Sequence, residues 1–466
     1  MMQIAFLFAI FAAGLCSGWA QGNYFIKSYG GRGDQTGLLV VPRDTGFYIA
    51  GFMESVPGFG AAFIIRTDDF GETLWTRMIV DSGVTIVLHS AIGDGNGGCV
   101  MVGQRRTSRG DWDMLVIRVD SSGAMLWQKT SGTTSDDVAT AVCDANDGWV
   151  VVGNTLRSGG YDIRLVKLDY EGNELWSRVM GSLQPDLAYA VARTGDAGFV
   201  IAGATYPAGS RFSNVLLFKV NYWGELVWWR QYGDWSWDEA RAILATAEFG
   251  FTIAGFSSSY GADMDFYLLR TDSLGELVWF QTFAIPGLQK AYGLTQIPEG
   301  FVLVGEGFLP GEEAQLLLLR TDTAGNFVWQ RFYGGDGYDR GVMAAYLDDG
   351  GFAITGRTWV DSVNRYDIYL IRTDSSGRIG LNEIGNRVNR GEEIVAFPNP
   401  FRNRVWLQAN CNKWAEVFSA NGAYVRRINL DSEWDGRDES GKIVPPGVYI
   451  ISTRDNSRRL KLIKCE

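Results

Sequence analysis

Short hydrophobic runs separated by polar, glycine-containing turns follow one another along most of the chain. A typical stretch contains the four runs AYAVART, GFVIAGAT, NVLLFKVN and ELVWWRQYG, at 188–194, 198–205, 214–221 and 225–233. β-Branched and aromatic residues fill these runs, and no apolar stripe with the helical period of 3.6 exceeds one turn. The pattern predicts groups of four short strands and an all-β protein.

This group of four strands is repeated. The turn in RTDSLGELVW, from 270 to 279, recurs with glycine spacings between 49 and 52 residues. Its glycines are Gly71, Gly123, Gly172, Gly224, Gly275, Gly325 and Gly377. Four residues after each glycine stand Trp75, Trp127, Trp176, Trp228, Trp279, Trp329 and finally Leu381. A second marker, in segments such as VIAG ending at Gly203, has the same period, so the chain is a repeat protein.

Four-stranded repeats of about 40 to 50 residues are typical of β-propeller blades. Seven copies predict a seven-bladed β-propeller of four-stranded blades over residues 21–384. The seventh copy lacks its aromatic last strand, whereas FIKSYGG at 25–31 matches WQRFYGG at 329–335, with Phe25 in the tryptophan position and Tyr29 matching Tyr333. We therefore expect the N-terminal strand to complete the last blade and to cover two exposed sheet edges.

The repeats resemble kelch and quinoprotein-type propeller repeats through the turn and tryptophan of D-x-x-G-x-x-x-W. Kelch blades carry a glycine pair after the second strand, where this chain has a single glycine such as Gly203. Quinoprotein dehydrogenases typically have eight blades and adjacent cysteines, which this sequence lacks, so no quinone cofactor is expected.

Residues 1–20 have the features of a secretory signal peptide. An apolar run from Ile4 to Leu15, too short to span a bilayer, precedes the small residues Gly18 and Ala20. No later stretch approaches the length of a membrane helix, so we expect a secreted protein without a membrane span. Cys99, Cys143, Cys411 and Cys465 would remain after cleavage, too few for a disulfide framework.

The C-terminal region differs from the repeats. After a predicted linker at 385–390, residues 391–466 contain 12 basic and 10 acidic residues, whereas the whole chain has a net charge of −11. Alternating strands separated by Asn-Gly, Asp-Gly-Arg-Asp and Pro-Pro-Gly turns predict a small β-sandwich.

FPNPF at 397–401, WDGRDESGKIVPPGVY at 434–449 and the closing KLIK resemble C-terminal sorting domains of type IX secretion substrates. They also resemble the Ig-like domain of the flagellar hook-capping protein. The resemblance implies export across the outer membrane of a Gram-negative cell by the type IX machinery, followed by release or attachment at the surface. It implies the signature residues Pro398, Asn399, Pro400, Phe401, Trp434, Asp435, Gly436, Gly441, Gly447 and Tyr449. Most are turn or strand residues, and an Ig-like module without a sorting role is the alternative.

Aspartates recur just before the first strand of a repeat. They are Asp34, Asp137, Asp186, Asp238 and Asp339. The first strand of a blade lines the channel of a propeller, so these carboxylates could form an acidic mouth for a cationic ligand. Alternatively each caps the backbone N–H groups of its own turn, and recurrence in repeat after repeat favours this second interpretation.

Two other patterns bear on ligands. The runs at 94–97, 144–148 and 348–351 resemble calcium loops but lack the EF-hand glutamate and occur where hairpin turns are needed. Tryptophans crowd the junction of repeats four and five. Trp235 and Trp237, with Asp238, lie in an inter-blade loop and are candidate ligand-binding residues, with packing between blades as the alternative.

Composition excludes several function classes. The net charge of −11 argues against a nucleic-acid partner, and the single histidine, His89, excludes a His-based zinc site and disfavours a Ser-His-Asp triad. We expect no metal and no catalytic residues. We favour a non-enzymatic, exported propeller that displays a binding surface for an extracellular glycan or protein. The alternatives are a glycosidase or polysaccharide lyase on the same scaffold, and a purely structural surface-layer role.

Overall fold

The computed structural model describes most of the repeat region and part of the C-terminal region. The described residues are 24–30, 33–56, 59–80, 84–234, 236–246, 250–259, 264–283, 285, 287–308, 313–335, 337–360, 365–379, 394–397, 405–409, 414–419, 423–429, 432–453 and 459–464. Within them the secondary structure is strand, turn and bend, with no helix, so the predicted all-β class is confirmed. The predicted signal peptide at 1–20 and linker at 385–390 lie outside the described residues.

The strands of the repeat region follow one another in groups of four, preceded by one N-terminal strand. The N-terminal strand is β1 (Phe25–Tyr29). Repeats one to three contain β2 (Asp34–Pro42), β3 (Phe47–Val56), β4 (Phe59–Thr67), β5 (Thr73–Val80); β6 (Ile86–Gly93), β7 (Cys99–Arg106), β8 (Trp112–Val119), β9 (Met125–Ser131); β10 (Asp137–Asp144), β11 (Trp149–Arg157), β12 (Gly160–Leu168) and β13 (Glu174–Met180). Repeats four and five contain β14 (Asp186–Arg193), β15 (Phe199–Thr205), β16 (Asn214–Val220), β17 (Leu226–Tyr232); β18 (Asp238–Ala245), β19 (Phe251–Ser257), β20 (Asp265–Thr271) and β21 (Leu277–Phe283). Repeats six and seven contain β22 (Gln289–Ile297), β23 (Gly300–Phe308), β24 (Ala314–Thr321), β25 (Phe327–Tyr333); β26 (Arg340–Tyr346), β27 (Phe352–Val360) and β28 (Arg365–Thr373).

Each repeat forms one antiparallel sheet whose strands pair in chain order, so the region is a β-propeller-like array of four-stranded sheets. Repeat seven supplies only three strands of its sheet, and β1 supplies the fourth. β1 pairs with β28 in a register that places Phe25 opposite Arg372 and Tyr29 opposite Ile368. The strand pairing predicted from the match between 25–31 and 329–335 is therefore present.

The repeated Asp-x-x-Gly turn has a local physical cause. In repeat five, Asp272 Oδ1 accepts hydrogen bonds at 2.8 Å from the backbone N–H groups of Leu274 and Glu276. Gly275 has a φ of 76°, a conformation in which most side chains are strained. A Cβ at Gly275 would also lie 2.8 Å from the Trp228 ring of the preceding repeat. The glycine recurs because both the turn and the packing against tryptophan exclude a side chain.

The same contact joins successive repeats and also joins the last sheet to the first. Each of the six repeat tryptophans packs against the turn glycine of the next repeat. At the end of the series, a Cβ at Gly71 of repeat one would lie 2.5 Å from the Phe25 ring. The Tyr29 hydroxyl donates to the Gly71 carbonyl at 2.6 Å, as the Tyr333 hydroxyl does to the Gly377 carbonyl. Phe25 and Tyr29 thus make the contacts of the residues that they match in the sequence.

Apolar side chains between neighbouring sheets form the core. Phe25, Val40 and Ile49 are buried in one cluster with Ile368 and Leu370 of the last repeat. The first strands β2, β6, β10, β14, β18, β22 and β26 each contact the next in this order, and β26 contacts β2.

Two antiparallel sheets make up the described part of the C-terminal region. Their strands are β29 (Ile394–Phe397), β30 (Val405–Ala409), β31 (Trp414–Ser419), β32 (Tyr424–Asn429), β33 (Ser432–Trp434), β34 (Gly447–Thr453) and β35 (Arg459–Lys464). One sheet has the order β29-β30-β33 and the other β32-β31-β34-β35. Trp434 of the first sheet and Tyr449 of the second are buried, with ring centroids 5.7 Å apart.

Candidate functional site

The first strand of each repeat lies at an edge of its sheet and contains one bulged residue. In β18, for example, the pairing with β19 skips Arg241 between Ala240 and Ala242. The residues bulged in this way are Leu38, His89, Thr140, Tyr189, Arg241, Tyr292 and Val342. A β-bulge re-aims its side chain and is common beside functional sites. The repeated scaffold therefore presents a different side chain at this position in almost every repeat.

In repeats four and five the bulged residues contact each other. The Arg241 guanidinium lies over the Tyr189 ring, 3.8 Å from its centroid, and forms an ion pair with Glu239. Glu239 is buried at 7% exposure, so the ion pair offsets the cost of removing its charge from water. Burial raises the pKa of Tyr189 to about 12, so this hydroxyl is protonated at neutral pH.

In repeats six and seven a carboxylate holds three side chains. Glu306 is 2% exposed. Its Oε1 accepts a hydrogen bond from the Tyr292 hydroxyl at 2.8 Å, and its Oε2 accepts from Arg340 Nε at 2.7 Å and from the Tyr338 hydroxyl. Arg340 also lies over the Tyr292 ring, 4.4 Å from the centroid. Burial, followed by the charge of Glu306, raises the pKa of Tyr292.

Two further cations complete this group. Arg357 lies 4.3 Å from the ring centroid of Tyr366 and 5.2 Å from that of Tyr338. Lys290 Nζ lies 5.5 Å from the ring centroid of Phe256, which the Arg241 guanidinium approaches equally closely. Lys290, Arg340, Arg357 and Glu306 are called the cationic cluster below.

The corresponding positions of repeats one to three have different chemistry. His89 is exposed to solvent at the edge of its sheet, while desolvation by its neighbours lowers its pKa. The Thr140 hydroxyl donates to the Ala188 carbonyl at 2.8 Å, and Asn154 Oδ1 accepts from the Ala188 N–H at 2.8 Å. Thr140 and Asn154 thus join neighbouring strands and carry no charge. At the bulged positions, the contacts between charged side chains and rings are those of repeats four to seven.

The five predicted mouth aspartates act mainly on their own turns. Four of them are buried, and each accepts a hydrogen bond from the backbone N–H four residues earlier. Asp137, Asp186, Asp238 and Asp339 accept from Thr133, Ser182, Asp234 and Gly335, at 2.6, 2.6, 3.3 and 2.9 Å respectively. The fifth, Asp34, is exposed and accepts from the Tyr366 N–H at 2.9 Å. Because four of the five carboxylates are buried and bonded to their own turns, the contacts favour turn capping over an acidic funnel.

Two of the predicted ligand-binding residues, Trp237 and Asp238, have different surroundings. Trp237 is half-buried, with its ring centroid 5.7 Å from that of Phe212 and 6.2 Å from that of Tyr206. Asp238 is 1% exposed and accepts hydrogen bonds from the hydroxyls of Ser257 and Ser259. Trp235 lies outside the described residues.

The calcium-like turns have structural partners. Asp94 Oδ1 accepts from the N–H groups of Asn96 and Gly98, and its Oδ2 lies 3.1 Å from Arg118. Similar ion pairs between a turn carboxylate and a basic residue of the third strand recur along the array. They are Lys167–Asp147, Lys219–Asp196, Arg320–Glu299 and Arg372–Asp349. No group of three or more His, Cys, Asp or Glu residues in the described ranges could hold a metal ion.

The C-terminal signature residues that the structure describes have roles in the fold. Trp434 Nε1 donates to the Arg437 carbonyl at 2.8 Å, and the Tyr449 hydroxyl donates to the Pro445 carbonyl at 2.6 Å. Gly436 and Gly441 have φ values of 67° and 83° in turns. Pro398, Asn399, Pro400 and Phe401 lie outside the described residues.

Sequence reasoning missed Glu306, Arg340, Arg357 and their tyrosines because it searched for residues that recur. A comparison of the repeats at their variable positions would have found one of them, Arg340: the residue after the first-strand Asp or Gln changes from Gln35 to Glu239, Lys290 and Arg340. A binding site on a repeat fold requires scaffold residues that recur in each repeat and edge residues that differ between repeats.

No protein-family model and no curated protein matches this chain. Among solved structures, the chain is similar to a protein of unknown function from Dyadobacter fermentans, with 12% sequence identity and a TM-score of 0.41. The similarity covers 63% of this chain and 99% of that one. A likeness at this level carries no argument about function. No helix that could cross a membrane occurs in the part of the chain that the structure describes.

Proposed function

We propose that this protein is an exported, non-enzymatic β-propeller that displays a binding surface for a glycan or protein ligand. One observation carries the proposal: the bulged edge position is occupied by a different side chain in nearly every repeat, while the scaffold around it is repeated. Within the described residues, repeats four to six place charged and aromatic groups there together, at Tyr189, Arg241 and Tyr292. Aromatic rings and arginines are the side chains that contribute most to binding surfaces.

The proposed architecture is a closed seven-bladed propeller. It is supported by the pairing of β1 with β28, by the contact of β26 with β2 and by the packing of Phe25 on Gly71. In such a ring the first strands surround the channel, and their bulged side chains point toward a ligand that enters one mouth.

The proposed C-terminal module is an Ig-like sandwich with a sorting role. Contact between Trp434 and Tyr449 from two different sheets supports the sandwich. The resemblance of residues 397–401 and 434–449 to type IX sorting domains is the ground for delivery to the cell surface or medium, after removal of residues 1–20. Truncation after Asn389 tests this: the shortened protein should remain in the periplasm, and normal surface delivery would remove the sorting role.

The binding proposal is tested on the mature chain, screened against glycan arrays and extracellular proteins. Arg241→Ala removes the contacts with Tyr189 and Glu239, and we expect about tenfold or greater loss of affinity for any ligand found. His89→Ala changes the same bulged position in repeat two and is the matched control, which should bind as the wild type does. Tyr189→Ala, which keeps the ion pair of Arg241, repeats the test if Arg241→Ala fails to fold.

The rival function is a polysaccharide lyase or glycosidase, which would need a concentration of Tyr, Lys and Arg at one mouth or a carboxylate pair. Tyr292, Lys290 and Arg340 provide the first of these. Against catalysis, the carboxylates of Glu239 and Glu306 are each bound to an arginine, and the raised pKa of Tyr292 keeps its hydroxyl protonated. Cleavage of a polysaccharide by the wild type that is lost in Tyr292→Phe would replace the binding proposal with an enzymatic one.

A further inference from the structure

The cationic cluster contains three positive charges and one negative charge. Lys290 lies directly opposite Glu306 on the paired strands β22 and β23, whereas Arg340 lies opposite Arg357 on β26 and β27. Like charges in directly opposed positions of a sheet are destabilising. The chain as a whole has a net charge of −11, so this local excess of cations does not follow from composition.

The single carboxylate of the cationic cluster, Glu306, already has partners for both of its oxygens. Both oxygens of Glu306 accept hydrogen bonds, from Tyr292 on one side and from Arg340 and Tyr338 on the other. The Nε of Arg357 is buried and has no hydrogen-bond acceptor. Among the described residues, no carboxylate forms an ion pair with Arg357 or with Lys290. A half-buried guanidinium without a carboxylate partner carries a positive charge that an incoming anion would neutralise.

The surroundings hold this arginine in place. Its guanidinium lies against the rings of both Tyr338 and Tyr366, whose centroids are 6.1 Å apart and whose planes are nearly perpendicular. Trp359 packs on Tyr366, with ring centroids 4.9 Å apart. A planar guanidinium held by contacts with two rings is preorganised for bidentate hydrogen bonds to a carboxylate or sulfate. The same rings offer apolar faces on which a sugar can stack.

We propose that the cationic cluster is the binding site for the carboxylate or sulfate group of an anionic sugar, with the neighbouring tyrosines contacting the sugar ring. This inference rests on the proposed binding function and narrows its ligand class. Arg357 binds the anion, Lys290 adds a second positive charge from the neighbouring repeat, and Arg340 is retained by Glu306. The sugar is a uronate or a sulfated residue of an extracellular polysaccharide.

The test compares two double variants of the mature chain that lose the same charge. Lys290→Gln with Arg357→Gln removes the two cations without carboxylate partners. Arg178→Gln with Arg331→Gln is the control, because each of these arginines also lies over an aromatic ring, of Trp176 and Trp329, but on the fourth strand of its repeat. Affinities are measured by calorimetry for polygalacturonate, for heparin and for uncharged dextran.

We expect the wild type and the control to bind polygalacturonate or heparin and not dextran, with affinity that falls as salt is raised. The cluster variant should bind at least about tenfold more weakly. Preference for polygalacturonate assigns a carboxylate, and preference for heparin a sulfate. Equal affinity of the two double variants, or absence of binding to both polyanions, would overturn the inference. A neutral glycan or protein found in the wider screen would still support the proposed binding function.

A thermal melt establishes whether the double variant Lys290→Gln with Arg357→Gln is folded. If it does not fold, Lys290→Gln and Arg357→Gln are tested singly against Arg178→Gln. Each single cluster variant should lose affinity while the control does not, and equal affinities again overturn the inference.

Discussion

Repeats one to three and repeats four to seven have the same scaffold but different edges. Both halves contain the Asp-x-x-Gly turn, the tryptophan that packs on the next glycine and the first-strand bulge. In the first half the bulged residues are Leu38, His89 and Thr140, whereas in the second half Tyr189, Arg241 and Tyr292 form ring and ion contacts across repeats. Residues that determine backbone geometry must recur, because one substitution breaks a turn or a sheet contact. A bulged edge residue is free of that constraint and can be specialised for binding.

The contrast also holds for charge at the edges. Ion pairs between a turn carboxylate and a third-strand basic residue occur in both halves, as in Arg118–Asp94 and Arg372–Asp349. In the second half, the buried Glu306 also accepts hydrogen bonds from Tyr292, Tyr338 and Arg340. A binding half and a structural half should therefore respond differently to mutation, and four variants examine this difference.

Deletion of residues 21–31 should have the largest effect, because it removes β1, the N-terminal strand that completes the sheet of the last repeat. β28 would lose its partner, and Phe25, which is 3% exposed, would leave the core. Loss of a buried phenylalanine alone costs about 3 to 5 kcal/mol, and the exposed edge promotes aggregation. Size-exclusion chromatography and thermal melting compare the deletion with the chain that begins at residue 21. A monomer of unchanged stability would contradict the role given to β1.

Asp339 and Asp34 occupy the same position in repeats seven and one, but only Asp339 is buried. Desolvation raises its pKa to about 6, above the value of about 3.9 in an unfolded chain. The folded protein then holds this proton more tightly, so its contribution to stability is lost as pH rises from about 4 through 6. Between these limits we expect the free energy of unfolding of the wild type to fall by about 2 kcal/mol relative to Asp339→Asn. Urea titrations at both pH values measure this, with Asp34→Asn, at the exposed equivalent position of repeat one, as the matched control.

Glu306→Gln weakens the ionic contact with Arg340, whose side chain is 28% exposed. Allowing for this exposure, we expect a loss of about 2 kcal/mol in unfolding free energy. Gln104 follows the second-strand glycine of repeat two, as Glu306 does in repeat six, and Gln104→Ala should change stability by less than about 0.5 kcal/mol. Similar losses of unfolding free energy in Glu306→Gln and Gln104→Ala would show that the two halves of the array do not differ energetically at this position.

Trp237→Ala should have the smallest effect on folding. Its ring is half-buried against Phe212 and Tyr206, and we expect a loss of about 1 to 2 kcal/mol. Trp229 is 56% exposed on the fourth strand of the same repeat junction, so Trp229→Ala should change stability by less than about 0.5 kcal/mol. Thermal melts compare the two. A loss above about 3 kcal/mol in Trp237→Ala would make this ring a full core residue and remove it as a ligand contact.

The sequence by itself determined the repeat, the four strands of each unit and the partner of the N-terminal strand. These follow from local rules. Short runs of β-branched and aromatic residues between turns predict strands, and the Asp-x-x-Gly turn requires glycine at a positive φ. The match of Phe25 and Tyr29 to Trp329 and Tyr333 identifies the missing strand. Most of the recurring aspartates could likewise be interpreted as turn caps.

Only the tertiary structure decided which side chains meet between repeats. Glu306 and Arg340 are 34 residues apart, and their contact depends on how one sheet lies against the next, which no local pattern encodes. Burial likewise decided that Asp238 bonds to two serine hydroxyls although its position in a loop suggested exposure. Residues that determine local backbone geometry recur in each repeat and can therefore be recognised in a single sequence. The candidate site depends on long-range packing of residues that do not recur.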